Sequence, residues 1–219
     1  MSELRRLAEL IGRRNEIEVQ ITKIIERPAQ IGHLGEFVAS RVFKIELARS
    51  ASQRGSDGTF SSGTLSGRSV NIKWYSMDEG ILALDQESVP DYYLVLAGPR
   101  HLPVSSRGQT RPWLISSVYL FKGPELIKSL REGGVKINVA TGVRKKLWEA
   151  AEIYPEQRSS EFVLSRELAY RLYTICDRKK RASEALSYNA LVQSWPEITR
   201  LARESGRPHA QQAGLFGQE

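Results

Sequence analysis

Six consecutive apolar residues, Tyr92-Tyr-Leu-Val-Leu-Ala97, stop at Gly98-Pro99. A run of that kind, without alternation, suits a central strand covered on both sides, so the chain is expected to build a sheet with a layer on either face. Residues 69–75, Ser-Val-Asn-Ile-Lys-Trp-Tyr, alternate instead. Val70, Ile72 and Trp74 fall on one face, which would be core, and Asn71 and Lys73 on the other, which would hold a site. At 219 residues and 41% hydrophobic content the chain can bury one sizeable core and carry an appendage.

Around these strands the pattern turns helical. Between residues 2 and 26, Leu4, Leu7, Ile11, Ile17, Ile21, Ile24 and Ile25 recur near helical spacing, in one helix or in two split at Gly12 and Asn15. This segment reads as a support or dimerisation element, and Arg27-Pro28 closes it. Residues 31–43 form a second helix, with Leu34, Phe37, Val38 and Val42 on its apolar side. At about 100° per residue, Glu36 shares the other side with Gly32, Ala39, Ser40 and Phe43. A carboxylate there either points into a close contact with the sheet or lies exposed on an amphipathic helix.

Further along, residues 42–47 and 113–121 read as strands and 124–131 as a helix closed by Gly133-Gly134. Residues 77–86 are open between loop and short helix, while 49–54 and 101–110 are loop-like. Helices are expected over 145–153, 161–180 and 190–204, with a break near Pro155. The expected organisation is therefore a helical N-terminal extension over 1–30, an α/β core over 31–154, a helical region over 155–205 and a flexible tail over 206–219.

Composition narrows the chemistry. Cys176 is the only cysteine, and His33, His101 and His209 are scattered, so a metal site would depend on oxygen ligands and suit magnesium or manganese. A net charge of +7 points to a polyanionic partner. The run Arg178-Lys179-Lys180-Arg181 is either a phosphate contact or a solvated helix face. No apolar stretch is long enough to span a bilayer, and the first residues lack the pattern of a signal peptide, so a cytoplasmic protein is expected.

Gly55-Ser-Asp-Gly58 sets Asp57 at a glycine-flanked turn just before the strand that carries Asn71 and Lys73. Phosphodiester hydrolysis needs a positioned water and neutralisation of charge on the phosphoryl oxygens. Asp57 would hold a divalent cation, Asn71 would add an amide oxygen, and Lys73 would face the same phosphate.

The order of a helical Glu36, then Ser56-Asp57, then Asn71-Ile72-Lys73 resembles the PD-(D/E)xK nuclease superfamily, over roughly residues 31–121. The resemblance implies a restriction-endonuclease-like mixed sheet flanked by helices and magnesium-dependent cleavage of DNA, in restriction, phage defence or repair. It further implies that Asp57 and the Ile72 carbonyl bind the metal, that Glu36 reaches it from the helix, and that Lys73 is the catalytic lysine. Ser56 stands in place of the proline and Asn71 in place of the second acid; Mrr-type restriction endonucleases carry glutamine there. A catalytically inactive DNA-binding or assembly module of the same fold is the alternative.

Arg41, Lys44, Arg49, Arg54 and Arg68 are the cations expected to line the approach to DNA, with the run 178–181 beside them. Gln212-Ala-Gly-Leu215-Phe216 is similar to the pentapeptide by which bacterial replication and repair proteins dock on the sliding clamp; otherwise its Leu-Phe pair packs on its own domain. A homodimer is expected because cutting two strands takes two sites.

Overall fold

The computed structural model describes residues 3–48, 55–100 and 111–175. They lie within one compact unit, 1–176; a second, 177–219, falls outside them. So do the loop-like segments at 49–54 and 101–110, the expected helix at 190–204 and the tail at 206–219. In chain order the elements are helices α1 (Glu3–Ile25) and α2 (Ile31–Phe43), then strands β1 (Ile45–Leu47), β2 (Gly58–Phe60) and β3 (Ser69–Tyr75). Next come β4 (Ile81–Leu82), β5 (Tyr92–Ala97), β6 (Ser117–Lys122) and helix α3 (Gly123–Glu132). The last are β7 (Thr141–Gly142), α4 (Lys145–Ala151), β8 (Glu152–Tyr154) and α5 (Arg166–Ile175).

Six strands form a mixed sheet in the order β1-β2-β3-β5-β6-β8, and β4 pairs with β7 in a small separate ribbon. Every pairing in the large sheet is antiparallel except β3 with β5, which run parallel in the register Val70 with Tyr92 through Tyr75 with Ala97. All six residues of β5 are buried, as its unbroken apolar run requires. Tyr92, Leu94 and Leu96 enter one core with Val70, Ile72, Val118 and Leu120, under Ala39, Val42 and Phe43 of α2. Tyr93, Val95 and Ala97 enter a second with Tyr119 and Phe121, under Leu126, Ile127 and Leu130 of α3 and Trp148 of α4. Burying an aliphatic side chain is worth about 1.5–3 kcal/mol, so β5 stabilises both layers at once.

Alternation along β3 therefore places Val70, Ile72 and Trp74 against α2 as expected. The opposite face is not an open cleft: Asn71 is buried there, and Tyr75 packs on the second core. The α2 contact follows the close-approach alternative of the sequence reading, through Ala39 and Phe43. Its buried residues are Gly35, Ala39, Val42 and Phe43, whereas Leu34 and Phe37 are only half-buried. Gly35 lets the backbones approach at this contact: a Cβ on it would lie 3.0 Å from that of Trp74.

Other differences have local causes. α1 is one helix, since an isolated glycine costs only about 1 kcal/mol in a helix and Gly12 does not break it. The strand expected from Trp113 begins at Ser117, and Trp113 is exposed. The helix expected to reach residue 153 stops at Ala151, because Pro155 disfavours its continuation and Ile153 is fully buried when 152–154 pairs with β6 instead. Within the open segment 77–86, β4 is a strand.

Packing does not end at Pro155. Phe162 meets Phe43 at 6.0 Å between ring centroids, and Leu172 of α5 is fully buried in the core beneath α2. Leu172→Ala is accordingly expected to lower stability by about 2–5 kcal/mol in urea unfolding; a change under about 0.5 kcal/mol would mean that α5 is not part of this core.

Candidate functional site

β2 is short, and its ladder with β3 ends at the pair Gly58 and Val70. Just before it the chain turns at Gly55, whose φ of 79° and contact with Ser88 exclude a side chain. The hydroxyl of Ser56 donates to the carbonyl of Gly58 at 2.9 Å, shaping the turn. The Asp57 N–H donates to the Val70 carbonyl at 2.9 Å, and the Ile72 N–H donates to Asp57 Oδ2 at 2.6 Å. A carboxylate thus takes the place that a further residue of β2 would have filled in the ladder. In extended backbone the carbonyl of a residue points to the same side as its N–H, so the Ile72 oxygen is directed toward Asp57.

Asp57 is half-buried, and its pKa is raised above 3.8. Burial is the main cause, and Glu36 adds to it, while the Ile72 N–H, Lys73 and Arg27 act in the opposite direction. Glu36 and Lys73 therefore both lie within electrostatic reach of Asp57, although they come from a helix and from the neighbouring strand.

Glu36 does not point into open solvent. Its side chain is 20% exposed and ion-paired with Arg27. It stands about 100° around the helix from Gly35, at the flank of the buried face of α2. Asn71 is 9% exposed, and its Oδ1 has no hydrogen-bond partner. The Tyr93 hydroxyl, at the position paired with Asn71 on β5, is also buried without a partner, and burial pushes its pKa up to about 12. Buried polar atoms are nearly always satisfied in folded proteins, so the Asn71 amide oxygen is an acceptor left open to a further partner.

The candidate ligand oxygens are those of Asp57, Glu36 and Ile72, with that of Asn71 on the face of β3 turned away from α2. They are hard donors and suit magnesium or manganese. Among the described residues no three Asp, Glu, His or Cys side chains form a metal-binding group, so such a cage would hold two acids and neutral oxygens.

Sequence pattern misses Arg27, which by periodicity only closes the first helix. Its contact with Glu36 spans nine positions across a helix boundary, and no periodicity could signal it. Of the expected DNA-binding cations, Arg41, Lys44 and Arg68 lie among the described residues. Arg68 precedes β3 at the hairpin end and faces Asp91 at 3.4 Å. Lys44 caps α2 in a left-handed conformation, with φ 55°. Arg41 lies 5.3 Å over the Phe37 ring. Arg49, Arg54, Arg178, Lys179, Lys180 and Arg181 lie outside the described residues, as do Gln212, Leu215 and Phe216.

Three further acids have structural partners. Asp91 accepts the Ser69 N–H and hydroxyl, each at 2.8 Å, and these bonds hold its pKa below the usual carboxylate range. Buried Asp78 accepts the Gly80 N–H at 3.2 Å and faces Arg100 at 3.7 Å. Glu152 faces Arg158 at 3.3 Å.

Among family models, one described as a domain of unknown function (DUF8807) matches residues 127–215. That segment starts within α3 and excludes every residue of the Asp57 site. Among curated proteins, none matches the chain.

Because the folded state holds the Asp57 pKa up, the unfolded chain loses this proton first as pH rises. The stability contributed by the protonated form is therefore lost as pH climbs from about 4 through the raised folded-state value. Asp57→Asn keeps an acceptor for the Ile72 N–H without the charge. Its melting temperature is expected to exceed that of the wild type at pH 7, with the difference shrinking toward pH 3; a lower value at pH 7 would mean that burial is not the dominant influence on Asp57.

Proposed function

We propose that the chain is a metal-dependent DNA endonuclease of the PD-(D/E)xK type, with a restriction-endonuclease-like core acting in restriction, phage defence or repair. One observation carries this reading: the Asp57 carboxylate rests on the Ile72 N–H and lies in the field of both Lys73 and Glu36. The succession of α2, the antiparallel β1-β2-β3 and the parallel partner β5 supports the same fold family.

Asp57, Glu36, the Ile72 carbonyl and the Asn71 amide oxygen would hold magnesium or manganese. A bound divalent cation supplies charge neutralisation at the phosphoryl oxygens and a more acidic water. Lys73 adds a positive charge that stabilises the developing phosphorane, and buried Asn71 keeps an acceptor at the site without adding a third negative charge.

A second reading, a catalytically inactive DNA-binding or assembly module, is favoured by the lack of a third acid among the described residues. Incubating plasmid and oligonucleotide substrates with Mg2+ or Mn2+ separates the two. Wild type is expected to cleave, and Asp57→Ala and Lys73→Ala to lose at least about 100-fold in rate while remaining folded. Equal background cleavage by all three proteins would reject the enzyme.

DNA is the expected macromolecular partner, through phosphate contacts. A homodimer through α1 is proposed because that helix buries none of its residues, while Leu4, Leu7, Leu10, Ile11, Ile17, Val19 and Ile24 stay exposed. No described helix is long and apolar enough to cross a membrane; cytoplasmic location is part of the proposal. Sedimentation of the full chain should give a dimer, and an immobilised sliding clamp should retain it until residues 212–219 are deleted. A monomer sinks the first idea, and retention unchanged by the deletion sinks the second.

A further inference from the structure

α1 ends at Ile25, and Glu26 turns the chain with a φ of 56°. The carbonyl of Pro28 then accepts the Gln30 N–H at 2.7 Å and lies 2.9 Å from His33 Nδ1, giving the connector a fixed shape. That shape brings Arg27 back onto Glu36. Arg27 also acts on Asp57, lowering its pKa. Its guanidinium is paired with Glu36, yet its side chain is 43% exposed, against 20% for Glu36. Ionised, Arg27, Lys73, Glu36 and Asp57 sum to zero charge.

A divalent cation on the two acids would leave that group with an excess of positive charge. It would also compete with Arg27 for Glu36. A guanidinium released from a carboxylate keeps its fork of donors, which matches phosphate geometry equally well. We propose that Arg27 is the resident counter-charge of the site: it neutralises Glu36 and Asp57 until a divalent cation takes them, and then binds a phosphate of the DNA. This rests on the nuclease reading of the same site.

The test compares the full chain with Arg27→Gln and Arg27→Lys. Mn2+ binding is followed by electron paramagnetic resonance without DNA, and duplex affinity is measured across a salt series with Ca2+ in place of the active metal. Arg27→Gln is expected to bind Mn2+ about 3- to 10-fold more tightly, since one charge near the site is removed. Its DNA affinity should fall by a similar factor, with a salt slope shallower by about one. Arg27→Lys should return both quantities toward wild type. Opposite signs for cation and DNA are the signature, because a merely structural role would weaken both. If wild type binds Mn2+ but Arg27→Gln binds it no more tightly, or keeps the full salt slope, the role of Arg27 is overturned alone. If wild type binds no Mn2+, the nuclease site itself is overturned with it.

Discussion

The parallel pairing of β3 with β5 is the interaction on which the rest depends. β5 is buried from Tyr92 to Ala97, so it needs a strand on each side and a layer on each face. β3 supplies one of those strands and is itself divided, with Val70 and Ile72 in the core under α2 and Asn71 and Lys73 on the other face. Anchoring β3 so firmly fixes the positions of two polar side chains that would otherwise be costly to hold. The candidate site would rest on a rigid strand, with Asp57 and Glu36 supplied by its neighbours.

Both arrive by close backbone approach. Gly35 lets α2 settle on Trp74 and puts Glu36 at the flank of that contact. Gly58 comes equally close to Ile45 and Glu46, so β2 lies tightly between its neighbours and Asp57 reaches the Ile72 N–H where the ladder stops. These contacts carry an electrostatic cost. Asp57 is held where burial and Glu36 disfavour its charge, and Arg27 and Lys73 offset only part of that. Perturbed carboxylates of this kind concentrate where a ligand completes the balance.

Much of this was legible in the residues. The unbroken run in β5 and the alternation in β3 identify two adjacent strands and their faces, because side-chain direction in a strand has a period of two. The order Glu36, Asp57, Asn71, Lys73 suggested a shared site, and of these the structure puts Glu36 and Lys73 in the field of Asp57. Less legible were the lengths of elements ending near proline: 152–154 continues a helical pattern, and only pairing with β6 makes it a strand. Likewise, periodicity put Leu34 and Phe37 on the apolar side of α2, yet Gly35 and Ala39 are buried with Val42 and Phe43 because packing rewards distance of approach as well as hydrophobicity.

The sequence by itself determined which segments could be strands or helices and which bore candidate site residues, since these follow from local periodicity and residue type. Only the tertiary structure decided that Glu36 and Asp57 share one field, that Asn71 is buried with an unpartnered oxygen, and that Arg27 joins them. Each of those depends on contacts between elements far apart in the chain, where the energy lies in packing distance and dielectric and leaves no periodic trace in the residues themselves.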